Sequence, residues 1–244
     1  MRLVFIRHGD PDYAIDSLTG PGFREARALA ERTAKWPVTA IYCSPLGRAQ
    51  ATAKPTLEAL DMQAETLPWL AEVSCPLHPR PDGSNQQTSV VWDLFPDFWT
   101  KDQLHFDPEN WYKSQYVQSV FPEAVRKIPA ICNGIDAVLA RFGYHREERF
   151  YRIDLDAKRD ATLVFFCHLG QIGVSAGHVL NISPMQLWHS FWLSPTSVTI
   201  LNSEERQNDK AGFRCQVMGD LSHLRQAGEP ISPHGGFTCS PFSL

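Results

Sequence analysis

Short apolar runs alternate along this chain with stretches of helical periodicity. Residues 3–6 are all apolar and run straight into Arg7-His8-Gly9, as a buried strand of a parallel sheet does. After the turn Thr19-Gly20-Pro21-Gly22, apolar and small residues recur at Phe23, Ala26, Ala30 and Thr33 until Pro37, predicting a helix over 23–36 with those positions inside. Residues 38–43 read as a second strand. Ser44-Pro45 reads as an N-cap and first helical residue of a helix towards Leu60. A shorter strand is expected over 64–67. Residues 161–167 (ATLVFFC) make the most convincing central strand, followed by a helix over 170–180 and another opened by Ser183-Pro184 and running through Trp188. Two β-branched runs, 197–201 and 213–218, flank a polar turn over 202–212. Strands alternating with helices predict an α/β domain, a three-layer α/β/α sandwich on a mostly parallel central sheet.

Between Val73 and Phe121 the pattern changes. Prolines and polar residues dominate, and aromatics crowd in, Trp92, Trp99 and Trp111 among them. A long segment of this kind inside a compact domain is a lid, a binding loop or a linker, and its aromatics argue against a linker. The expectation is one domain over 1–244 with an inserted lid at about 73–121. Residues 121–142 then read as helix, with a break at Pro129.

Composition narrows the function classes. Net charge is −4, with Lys and Arg scattered, so no basic field attracts nucleic acid. The longest apolar runs fall far short of the roughly 20 residues that cross a bilayer. The apolar run before Arg7 is too short for a signal peptide, which predicts a cytoplasmic protein. The six cysteines show no CxxC pair and no zinc spacing, so reduced thiols and no metal site are expected, with Cys167 as a small core residue.

The candidate chemistry lies at strand ends. Ligands of open α/β sheets bind outside the carboxyl ends of the strands, where Arg7-His8 and His168 both fall. If those two strands are parallel neighbours, two histidines converge on one crevice. Arg48, one turn into the helix after the second strand, starts from the same edge. A neutral imidazole whose far nitrogen is held as a donor is a good nucleophile. Two guanidiniums can clamp the non-bridging oxygens of a phosphoryl group and supply the positive charge that Mg²⁺ supplies elsewhere. A second histidine can hold equatorial oxygens, and a carboxylic acid must protonate the leaving alcohol.

RHG at 7–9, SPLGRAQATA at 44–53 and HLG at 168–170 after an apolar strand together resemble the histidine phosphatase (phosphoglycerate mutase-like) superfamily. LTGPGFREA at 18–26, PTSVTIL at 195–201 and GDLSHL at 219–224 extend the resemblance, which covers about 1–72 and 161–224. It implies a phosphoglycerate mutase-like fold, His8 as the phosphorylated nucleophile, and Arg7, Arg48 and His168 completing the phosphate pocket. It also implies a proton donor after the third strand, where Glu72 in PWLAEV stands, with Glu65 as its rival. The chain departs from the family after the glycine. It reads Asp10-Pro11-Asp12-Tyr13-Ala14, without the asparagine that touches phosphate in many members, and it has no segment like the one with which the glycolytic mutases grip phosphoglycerate.

The expected activity is hydrolysis of a small phosphorylated metabolite through phosphohistidine, without metal or cofactor. A mutase-type phosphoryl transferase and a non-catalytic phospho-ligand sensor are the rival readings. His78, Arg80, Trp92, Trp99 and Trp111 are candidate lid contacts to substrate; the tryptophan-rich stretch could equally roof the core, and exposed aromatics of the insertion could serve a homodimer.

Overall fold

The computed structural model describes residues 1–73, 90–92 and 94–232. The chain begins with β1 (Arg2–Arg7), a small hairpin of β2 (Pro11–Asp12) and β3 (Ser17–Leu18), and α1 (Gly20–Thr33). Next come β4 (Ala40–Cys43), α2 (Gly47–Leu60), β5 (Ala64–Thr66), α3 (Pro96–Trp99), α4 (Gln115–Val120) and α5 (Ala124–Ala140). A hairpin of β6 (Tyr144–Glu147) and β7 (Phe150–Ile153) leads to β8 (Thr162–Cys167), α6 (Leu169–Leu180) and α7 (Pro184–Ser190). The long hairpin of β9 (Val198–Gln207) and β10 (Lys210–Asp220) precedes α8 (Ser222–Ala227).

The main sheet has eight strands in the order β5-β4-β8-β1-β9-β10-β7-β6. Its first four strands pair parallel, and the remaining four continue antiparallel. The parallel part explains the continuous apolar runs. Successive side chains of a strand point to opposite faces, and here both faces are covered. Leu3, Phe5, Tyr42, Leu163 and Phe165 enter the larger core beneath α5, α6 and α7. Val4, Ile6, Ile41, Cys43, Val164 and Phe166 enter the smaller one beneath α1 and α2. In the larger core Phe165 stacks on Phe5 and Tyr42, with ring centroids 5.0 and 5.1 Å apart. That is the three-layer arrangement.

Several local features differ from what the sequence suggests. Phe23 is 41% exposed, because the buried stripe of α1 runs through Ala26, Leu29, Ala30 and Thr33. Helix α2 starts at Gly47 with Leu46 as its N-cap, so Ser44 and Pro45 precede it. Pro129 does not break α5: Ile128, Ile131 and Ile135 around it are anchored in the core. Residues 202–212 are mostly strand, and the reversal falls between Gln207 and Lys210, with Asp209 left-handed at φ 60°. Their polar residues pair across the hairpin, as Arg214 does with Glu204 at 2.7 Å. Among the described residues, no helix is long and apolar enough to cross a membrane.

Candidate active site

The parallel pairing of β1 with β8 sets Arg7 opposite Cys167, so His8 and His168 each lie one residue beyond the same rung. Their rings sit 5.2 Å apart, centroid to centroid, and are tilted by 53°. The backbone of His8 is fastened from two sides. Its N–H donates to the Cys167 carbonyl (2.9 Å), and its carbonyl accepts from the Thr196 N–H (3.1 Å). The next amide, Gly9 N–H, donates to Thr52 Oγ1 of α2 at 2.8 Å. Thr196 supports His8 from a left-handed backbone (φ 56°), which costs a β-branched residue roughly 1–3 kcal/mol. Its hydroxyl donates to Pro195 O and accepts from His223 Nε2 (3.0 Å), which holds it there. PTSVTIL and GDLSHL therefore meet beneath the nucleophile candidate.

His8 is buried, and its Nδ1–H donates to the Gly9 carbonyl at 2.8 Å. A carbonyl only accepts, so the ring proton belongs on Nδ1 and the lone pair on Nε2. Burial, then the Arg7 and Arg48 charges, lower the His8 pKa to about 3 against the pull of the Gly9 carbonyl, which leaves a neutral imidazole. His168 is likewise held well below the usual histidine range, by burial first and then by His8, Arg48 and Arg7. Its Nε2 lies 2.7 Å from Ser44 Oγ, which also accepts the Leu46 N–H at 3.2 Å. Ser44 is the polar contact to His168 that sequence reasoning missed, since Ser-Pro after a strand imitates a helix cap. Among the described residues, His168 Nδ1 is buried with no partner.

Arg7 donates through Nη1 to Leu193 O and stacks its guanidinium over Trp192, 5.2 Å from the ring centroid. Arg48 donates to Asp16 Oδ1 (2.5 Å) and lies over Tyr13. Asp16 also accepts the Gly47 N–H at 2.7 Å, from a left-handed backbone at φ 47°. Burial pushes the Asp16 carboxyl up, but the Gly47 amide and Arg48 outweigh it and hold it below the ordinary value. A Cβ on Gly47 would come within 2.1 Å of Asp16 O, so glycine is required for this contact. After these contacts Arg7 Nε and Arg48 Nε remain buried and unpartnered among the described residues.

Glu72 follows β5, after one turn of 3-10 helix over Pro68–Leu70. Its Oε1 accepts the N–H groups of Val73 (2.9 Å) and of Gln171 (3.1 Å) in the first turn of α6. Burial raises its pKa, and these amides and Arg7 offset only part of the rise. The side chain reaches α6 because residue 170 is glycine: a Cβ there would lie 2.7 Å from Glu72 Oε1 and 2.6 Å from Trp92. Glu65 points elsewhere, into an exposed ion pair with Arg141.

Of the tryptophans expected in a lid, only Trp92 stands beside the site, half-buried next to Gly170. Trp99 and Trp111 are core residues, 7% and 1% exposed. Trp99 stacks on His189, and Trp111 meets Trp188 edge-on. Their apolar bulk is used to cover the sheet, which corrects the expectation that they contact substrate. His78 and Arg80 lie outside the described residues. Cys167 is fully buried, and burial pushes its thiol far up, as suits a core residue. Among the described residues, no group of three or more His, Cys, Asp or Glu could hold a metal ion.

So many buried neutral histidines make the fold acid-sensitive. Burial, chiefly, lowers His8 to about 3 and His189 and His223 to about 4. The unfolded chain takes up these protons near pH 6.5, so their contribution is present above that pH and is lost as pH falls towards 4. For His223 alone this is about 3 kcal/mol. Glu25, raised by burial to about 7, acts oppositely: its contribution is present below pH 4.5 and is lost as pH rises through 7. With the histidines more numerous, the urea midpoint should fall between pH 7 and pH 5, and more gently in His223→Gln. A midpoint unchanged over that range would contradict these assignments.

The sequence profile of the Histidine phosphatase superfamily (branch 1) matches residues 3–109. No curated protein matches the chain. Among solved structures it is similar to mycobacterial glucosyl-3-phosphoglycerate phosphatase, with 19% identity, 89% of this chain and 98% of that one covered, and a TM-score of 0.58. It is also similar to a phosphoserine phosphatase mutant from Entamoeba histolytica in complex with phosphoserine (18%, 91% and 98%, 0.56). A putative alpha-ribazole-5'-P phosphatase from Escherichia coli gives the same four values, 18%, 91%, 98% and 0.56. At these identities the likeness is one of fold.

Proposed function

We propose, from the match of residues 3–109 to the histidine phosphatase superfamily, that the chain is a member of it and hydrolyses small phosphomonoesters through a phosphohistidine at His8. The observation that carries the reading is the set of buried nitrogens with no partner among the described residues (Arg7 Nε, Arg48 Nε and His168 Nδ1) grouped with a neutral His8 whose Nε2 is uncommitted. An anion with several oxygens satisfies all of them at once.

The His8 Nε2 lone pair forms the bond to phosphorus as the ester P–O bond breaks. The leaving alkoxide takes the proton of the Glu72 carboxyl, and burial, which raises the pKa of that carboxyl, favours its protonated form. The Glu72 carboxylate then removes a proton from water, the resulting hydroxide bonds to phosphorus, and the P–N bond breaks to restore His8. Arg7 and Arg48 offset the charge on the non-bridging oxygens, and no metal is needed. Ser44 donates its hydroxyl proton to His168 Nε2, which puts the ring proton on Nδ1, where it can be given to a phosphoryl oxygen. Nitrogen NMR of His168 should therefore report the Nδ1–H tautomer. Ser44→Ala should randomise that signature and lower kcat/KM about tenfold, as loss of one buried hydrogen bond does. An Nε2–H tautomer in the wild type would refute this role.

The reading is tested by phosphate release from a panel of sugar phosphates, phosphoglycerates, nucleotides and a nitrophenyl ester, in EDTA. Release is the expected result. Thermal stabilisation by phosphate without release from any ester would identify a sensor instead.

A further inference from the structure

A cavity of about 480 Å³ opens against Glu72, between the segment after β5 and the first two turns of α5. Glu72 forms part of its wall. Trp69, Val73 and Ile131 supply apolar surface, and Arg126 and Lys127 bring two cations. Among the described residues both cations share one partner, Glu123, which leaves an excess of positive charge on this part of the rim. The volume is that of a ligand pocket, on the order of 300–1,000 Å³.

We propose that this cavity receives the alcohol part of the substrate, and that the alcohol has a flat apolar body with an anionic end. The inference rests on Glu72 being the proton donor. A general acid must lie within hydrogen-bond reach of the leaving oxygen, so the remainder of the alcohol extends from Glu72. The phosphate side of that oxygen is taken up by Arg7, Arg48 and His168. On its α5 side Glu72 lines the cavity, whose apolar walls suit an aromatic or alicyclic body. The cations of Arg126 and Lys127 then meet a carboxylate or a second phosphate at its far end. Selectivity would come from these residues of α5, outside the phosphate site.

Three esters with similar leaving oxygens separate the contributions: benzyl phosphate, naphthylmethyl phosphate and a carboxylated naphthylmethyl phosphate. kcat/KM should rise at least tenfold from the first to the second. A further severalfold gain with the carboxylate should shrink at high salt and in R126A/K127A. Ala130 is exposed on α5 and lines the same cavity, so Ala130→Trp can fill it while the core stays intact. That variant should lower the ratio of naphthylmethyl to benzyl turnover at least tenfold. Equal turnover of all three esters, with that ratio unchanged in Ala130→Trp, would overturn the subsite and leave the phosphatase reading standing. Turnover of none of them, nor of any ester in the wider panel, would overturn both.

Discussion

His8→Ala should lose at least about 10⁴-fold in ester hydrolysis while still binding phosphomonoesters. The loss is large because, among the described residues, no other group placed around phosphorus offers an uncommitted lone pair: Arg7 and Arg48 are cations, and His168 Nε2 is engaged by Ser44. Binding should survive, because the three unpartnered donors remain. Folding should survive too. His8 is neutral and buried, and the contacts that fix this turn to Cys167, Thr196 and Thr52 are made by main-chain groups of residues 8 and 9. Residual turnover above about 1% of wild type would remove His8 from the nucleophile's role.

Glu72→Gln should separate esters by leaving group. An alkyl phosphate leaves as a strongly basic alkoxide that needs the Glu72 proton, so kcat should fall about 10²–10⁴-fold. A nitrophenyl ester leaves as a stable phenolate, and its first step should slow only a few-fold. Release of nitrophenol in a single turnover isolates that step from the later attack of water, which also uses Glu72. Because burial raises the Glu72 pKa, wild-type turnover of alkyl esters should hold through mild acid and decline as pH rises through that value. The pre-steady-state nitrophenyl rate should lack that decline. Equal losses on both ester types would assign Glu72 a role other than proton donor.

The parts of this site legible in the sequence are those fixed by strand ends. An apolar run terminating in Arg7-His8, and another terminating in His168, place their polar residues at one edge whenever the strands are parallel neighbours, as β1 and β8 are. Arg48 was legible for the same reason, through β4 and α2. Ser44 was not, since its hydroxyl is spent on a histidine far along the chain and its sequence context imitates a cap. Thr196 was equally hidden: a left-handed threonine has no local signal, and its support comes from His223. The β6–β7 hairpin escaped because its charged residues pair with one another and with neighbouring loops, as Arg152 does with Glu147 and Asp154, which masks the alternation of a strand. Trp99 and Trp111 misled for the opposite reason. Aromatic density marks apolar surface to be buried, and the same composition serves a substrate roof or a protein core.

The central claim is a covalent phosphoryl group on His8. Wild-type protein mixed with a phosphomonoester, quenched into alkaline denaturant and mapped by peptide mass spectrometry, should carry one phosphoryl group on the peptide containing His8. The group should vanish on longer incubation after substrate is exhausted and should never form in His8→Ala. A phosphoryl group on a different residue, or its complete absence during turnover that His8→Ala sustains, would contradict the account.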